Sequence, residues 1–252
     1  MASTALGVPD RFRIGRVFND SFAVIGRNPA LCLGIGVAFH ALPRFVALLW
    51  YVNSGAARLP AKAFVSQHAT IVVLGVPVYL FITAVLQTSV IRAAIVDLRG
   101  SKPVFADCFG VALALLFPIL GASLLVTLGI LIGLLLLVPG ILLLLRWAVT
   151  MPVMIQERRG ILDSMARSRD LTKGSRWALL WLWLILIVAG TLIGLVITRV
   201  ALPLNITFGL LVDSAVRAVI MVLTSVAAAV SYVELLRIKE GTSVDELAKI
   251  FS

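Results

Sequence analysis

The sequence predicts an all-α, polytopic membrane protein with six spanning helices. Three observations carry that reading. Hydrophobic residues make up 61% of the 252 residues and charged residues 13%, whereas a soluble domain is roughly 45–50% apolar and about 25% charged. The mean hydropathy is +1.08. Six apolar stretches approach the roughly 20 residues needed to cross a bilayer core as a helix. No cleavable signal peptide is expected, because residues 1–28 hold no continuous apolar run and are interrupted by Arg11, Arg13, Arg16 and Arg27.

In order, the stretches are Ala30–Val52, Ala69–Val96, Val111–Val138, Gly140–Gln156, Trp177–Val200 and Thr207–Tyr232. The third and fourth meet at Val138-Pro139-Gly140, which predicts a tight turn. With both termini on one side, four segments share that side: 1–29, 92–110, 157–176 and 234–252. They hold 16 of the 22 basic residues. The positive-inside rule then makes both termini cytoplasmic and accounts for the net charge of +10 without a nucleic-acid partner.

These four segments resemble one another. Asp20-Ser21-Phe22, Asp107-Cys108-Phe109 and Asp163-Ser164-Met165 each precede an apolar hairpin, and Asp245 lies in the last segment. A unit of amphipathic interfacial helix plus transmembrane hairpin is therefore expected three times, over 11–98, 99–156 and 157–236, in one integral membrane domain. Coincidence among Arg-rich loops is the alternative. In the first segment Ile14, Val17, Phe18, Ser21, Phe22 and Ile25 share a face opposite Arg16, Asn19, Asp20 and Arg27. In the third, Ile161, Leu162 and Met165 cluster, and residues 243–251 read as a last amphipathic helix. Such helices lie in the headgroup region or pack on the protein's own surface.

A charged side chain inside a span costs about 2.5–3.5 kcal/mol on insertion scales. Arg146, counted along an unbroken fourth span, falls near mid-bilayer, where it pairs with an acid such as Asp213 or binds an anion. Asp213 and Arg217 are four apart and can pair with each other. His40 and Arg44 have the same spacing beside Pro43 and either line a polar cavity or snorkel. Arg92 is expected to snorkel. Asp97, Glu157 and Glu234, each close before an arginine, are expected to hold the connectors by structural ion pairs. Gly129–Gly133 and Gly190–Gly194 are GxxxG patterns that permit close helix approach.

Catalytic and metal motifs are not found in the sequence. No nucleophile elbow, phosphate loop or His-Glu-x-x-His occurs, and two histidines with Cys32 and Cys108 far apart give no metal-ligand spacing. The expectation is a protein that is not an enzyme, with no cofactor or metal.

The run Pro139-Gly140, Arg146-Trp147, Pro152, Glu157, Ser164, Ser168, Leu171-Thr172, Gly174 and Trp177 resembles the bacterial glycerophosphoryl diester phosphodiesterase membrane domain. So do Phe22-Ala-Val-Ile with Asn28-Pro29 near the start and Tyr232, Glu234, Arg237, Asp245-Glu246-Leu247 and Phe251 near the end. The resemblance implies a multi-pass protein of the bacterial inner membrane, without the catalytic barrel that gives the family its name. Together these readings predict a protein that binds or moves a lipid or an anionic amphipathic ligand. Arg146 is its main contact, and Arg44, His40, Asp213 and Arg217 are polar lining. A membrane scaffold that recruits a partner is the alternative. Membrane lipids are the expected partners, and the sequence leaves the oligomeric state open.

Overall fold

The computed structural model describes residues 12–134 and 138–240, and the regular elements among them are all helices. A short helix, α1 (Ile14–Arg27), leads into the first span, built from α2 (Pro29–Gly36), a π-helical turn (Val37–Ala41) and α3 (Leu42–Asn53). A 3-10 turn and α4 (Ala61–Gln67) connect to α5 (Ala69–Leu98). Then come α6 (Phe105–Ala114), α7 (Leu116–Leu134), α8 (Val138–Arg146), α9 (Thr150–Glu157), α10 (Ile161–Thr172), α11 (Arg176–Leu204) and α12 (Ile206–Glu240). Six of the resulting helical stretches are long and apolar enough to cross a membrane. The chain is a multi-pass membrane protein.

Three boundaries differ from the sequence reading, and in each a proline supplies the reason. The third span starts at Leu116, because Val111–Ala114 belong to α6 and the chain turns at Leu115. Pro118, third in α7, has no N–H for the Ala114 carbonyl, so a continuous helix would lose a bond at the point where the chain turns. The fourth span is broken after Arg146, and Pro152, third in α9, plays the same part there. Val138-Pro139-Gly140 is not the turn but the opening of α8, where a missing N–H costs nothing. Residues 135–137, between α7 and α8, lie outside the described residues, as does the amphipathic helix expected at 243–251.

The post of the fold is α12. At about 1.5 Å per residue its 35 residues reach far beyond the roughly 30 Å of a hydrocarbon core. It packs against α11, α5, α1 and the first span. Its buried run Ser225-Val-Ala-Ala-Ala-Val-Ser231 keeps the neighbouring backbones close. The glycine patterns serve the same end. A Cβ at Gly133 would stand 2.9 Å from the Gly140 backbone, one at Gly129 2.6 Å from the Trp147 ring, and one at Gly36 2.8 Å from Val222. Gly190 and Gly194 face Ile220 and Arg217 across the α11–α12 seam.

The short helices α1, α6 and α10 each precede a pair of spanning stretches, and the three acids expected to hold connectors do contact them or their flanks. Glu234 accepts from Arg16 of α1 at 2.9 Å and lies 3.6 Å from Arg237. Asp97 accepts from Arg27 at 3.0 Å and from Asn28 at 2.6 Å. That hydrogen bond raises the Arg27 pKa above its ordinary value. Glu157 accepts from Arg167 of α10 at 3.3 Å, from the Tyr232 hydroxyl at 3.2 Å, and pairs with Arg159. Arg167 also pairs with Glu240, and its pKa is raised chiefly by that bond. Arg92, near the end of α5, pairs with Asp107 of α6 at 3.2 Å.

The inward face of α1 is largely the one the helical spacing indicated, with Ile14, Phe18 and Ile25 packed against the core, whereas that of α10 is not. In α1 the buried positions are Val17, Ser21 and Val24, packed on α12, while Phe22 points outward. In α10 the buried stripe is Ser164, Ser168, Leu171 and Thr172, and Leu162 is exposed. Small hydroxyl side chains let α10 lie close against the protein and bond its backbone.

Candidate functional site: an intramembrane cavity

The first span is widened where the site begins. Pro43 cannot donate to the Phe39 carbonyl. The helix accommodates this with a π turn over Val37–Ala41, in which the Leu42 N–H bonds back to the Val37 carbonyl. Such turns cluster at functional sites, and this one carries His40 and is followed by Arg44.

These two side chains meet α12. Asp213, only 6% exposed, is gripped by two guanidiniums from different helices. Arg44 Nη2 donates to Oδ2 at 3.1 Å, and Arg217 Nε donates to Oδ1 at 2.9 Å. The Thr198 hydroxyl of α11 adds a bond to Oδ1 at 3.0 Å. The sequence reading of an Asp213–Arg217 pair is thus incomplete. The cluster holds two cations and one anion and carries an excess positive charge.

That excess faces a cavity of about 380 Å³ between α5, α11, α12 and the first span. His40, Arg44, Arg217, Trp183, Thr191 and Thr224 supply its polar groups. Asp213 lies behind the arginines and is not part of the lining. The cavity has the space because α11 presents Gly190 where a larger residue would fill it. Its rim residues Tyr79 of α5 and Ile187 of α11 are 53% and 57% exposed, so it opens sideways between these helices, onto apolar surface.

Several polar groups there are unused, two of them, on Arg44 and Trp183, necessarily donors. Among the described residues, His40 Nδ1, Arg44 Nε and Trp183 Nε1 are buried without a hydrogen-bond partner. Arg217 spends only its Nε on Asp213, and its outer nitrogens rest near Gly194. Buried polar groups are ordinarily satisfied. A set of unsatisfied donors around surplus positive charge fits an anion. Comparison with protein-family models, curated proteins and solved structures finds no match. The chemistry must be read from the side chains.

Two smaller cavities adjoin this one. An apolar pocket of about 210 Å³, lined by Phe18, Phe22, Ile185, Ala189 and Ile193, shares Leu186, Gly190, Ile220 and Thr224 with it. A second, of about 190 Å³, shares Trp183 and Thr224 and extends by Gln87 and Ser225 to Ala148 at the break in the fourth span.

The structure therefore unites four of the five expected ligand residues, His40, Arg44, Asp213 and Arg217, and leaves Arg146 out. Arg146 neither pairs with Asp213 nor lines the cavity. It ends α8 beside α10, at a break in the span along which its position was counted. Residues that the sequence reading missed are Thr198, which completes the Asp213 shell, and Trp183. The Thr198–Asp213 contact spans a helix turnaround near Asn205, and no local pattern announces it.

Proposed function

We propose that this protein is a non-enzymatic membrane protein that binds, and in doing so moves or retains, an anionic amphipathic lipid. The phosphate of that ligand enters sideways between α5 and α11 and is held by Arg44 and Arg217. The single observation that carries the reading is the two-to-one ratio of guanidinium to carboxylate in a laterally open cavity with unused donors. Arginine presents a planar fork of donors suited to phosphate oxygens. In a low-dielectric setting such charge-assisted bonds are stronger than in water. The neighbouring apolar pocket at Phe18 and Phe22 suits an acyl chain.

The orientation with α1, α6 and α10 on the cytoplasmic face of a bacterial inner membrane, and the threefold use of one helix-plus-hairpin unit, belong to the same proposal. They rest on the charge distribution, on the order of elements and on the resemblance to the phosphodiesterase-associated membrane domain.

The test is calorimetric titration of delipidated protein in detergent with short-chain phosphatidylglycerol and phosphatidylcholine. Arg217→Gln leaves Asp213 paired with Arg44 and Thr198, so the fold survives. It should weaken phosphatidylglycerol binding roughly tenfold, the worth of one charged hydrogen bond. Equal affinity of wild type and Arg217→Gln for phosphatidylglycerol would refute the assignment.

A further inference from the structure

The chain carries a second concentration of unsatisfied positive charge, at the break in the fourth span. Residues 147–149 leave the helix, and non-helical backbone in a membrane protein requires partners for its polar groups. One side chain of α10 supplies two of them. The Ser168 hydroxyl donates to the Arg146 carbonyl at 2.9 Å and accepts from the Val149 N–H at 3.3 Å. Ser168 is fully buried, so this bridge fixes the register of α10 against the broken span.

The register sets two arginines side by side. Arg146 and Arg169, the residue after Ser168, line a pocket of about 250 Å³ with Leu143, Trp147, Leu162 and Met165. Among the described residues, no acidic side chain lines it. Arg146 has no ion pair among the described residues, and its Nε is buried without a hydrogen-bond partner. Arg169 has only its chain neighbour Asp170, at 3.5 Å, with both side chains more than half exposed. Such a surface pair contributes little and is easily exchanged.

We infer that this pocket is a binding site for a phosphate group of net negative charge, distinct from the cavity around Arg217. Two guanidiniums neutralise the phosphate, and the apolar wall of Leu162, Met165 and Trp147 receives the adjoining glycerol and the first part of an acyl chain. The site also discriminates. A zwitterionic headgroup brings an ammonium, and no carboxylate lines the pocket to receive it. Phosphatidylglycerol therefore binds in preference to phosphatidylcholine. The same chemistry accepts a soluble phosphate, and the experiment separates the two sources.

Delipidated protein is titrated in separate runs with phosphatidylglycerol and phosphatidylcholine, and bound molecules are counted by native mass spectrometry. Wild type should bind two phosphatidylglycerols tightly, and Arg217→Gln and Arg169→Leu should each weaken a different one. The loss at the second site should be about fivefold for Arg169→Leu, the effect of one basic residue at a membrane surface. Arg169 is exposed, so this variant folds. Arg169→Glu adds the missing carboxylate and should reverse the preference toward phosphatidylcholine. Displacement of the second lipid by millimolar inorganic phosphate assigns the site to soluble phosphate. Retention of the lipid assigns it to the headgroup. Unchanged binding in Arg169→Leu, or an Arg169→Glu variant that keeps its preference for phosphatidylglycerol, overturns the inference, even if the Arg217 site behaves as proposed.

Discussion

Arg44 and Asp213, 169 positions apart, are joined by a 3.1 Å hydrogen bond that ties the first span to the last. The bond runs from the residue just past a π turn to a nearly buried carboxylate that already holds Arg217. It links a local irregularity, forced by Pro43, to the charge balance of a cavity. Structure and ligand recognition then make opposite demands on Asp213. The fold needs its negative charge, whereas an anion would be held more tightly without it.

Asp213→Asn should separate those demands. Removing one partner of a buried ion pair costs about 3–5 kcal/mol. The partial exposure of Arg44 and Arg217 reduces this to about 2 kcal/mol. Thermal unfolding in detergent should fall accordingly, while affinity for phosphatidylglycerol in the cavity should rise. A variant less stable and also weaker in binding would show that Asp213 shapes the site rather than balancing its charge.

Ser168→Ala should loosen the broken span. It leaves the Arg146 carbonyl and the Val149 N–H without their partner in a buried place, at a cost of about 1–3 kcal/mol. Hydrogen exchange should accelerate over residues 146–153 more than in α12. Uniform exchange in the variant and wild type would mean that the bridge is incidental.

The α7–α8 hairpin depends on contact between Gly133 and Gly140. Gly133→Ala places a methyl against backbone that cannot yield, and overpacking of this kind costs about 1–3 kcal/mol. Gly75→Ala meets nothing within 4 Å and should leave the unfolding temperature unchanged or slightly higher. Equal melting temperatures for the two variants would contradict the packing described.

Asp97→Asn should free α1. The carboxylate receives both Arg27 and Asn28, and α1 is otherwise anchored through Arg16 on Glu234 and its buried Val17 and Val24. Arg27 is half exposed, so the loss in global stability should be below about 1 kcal/mol. Amide protection over residues 14–27 should drop while that of α12 stays. No local change would place the anchoring of α1 elsewhere.

The six spans were legible because hydrophobicity and length are one-dimensional properties. Proline breaks were harder. Pro118 and Pro152 were visible, but a proline near a helix start is compatible with either a continued or a restarted helix. Which one forms depends on whether α6 and α10 can pack beside the gap. The inward face of α10 was misjudged for a related reason. Periodicity finds apolar stripes, and here the buried stripe is of serine and threonine, whose value lies in close approach and in bonding a broken backbone. The site was half readable. Charges within spans marked His40, Arg44, Asp213 and Arg217 individually, yet nothing local to any of them brings the first span against α12. Arg146 was singled out correctly as anomalous and placed with the wrong neighbours, because its position was counted along a helix that does not continue.

The most direct measurement is a crystal structure grown from a lipidic mesophase containing phosphatidylglycerol with brominated acyl chains. The account predicts a phosphate within about 2.7–3.2 Å of the guanidiniums of Arg44 and Arg217, with anomalous bromine signal leading out between α5 and α11. A cavity filled by protein side chains, or occupied by water with the bromine signal confined to the outer surface, would contradict it.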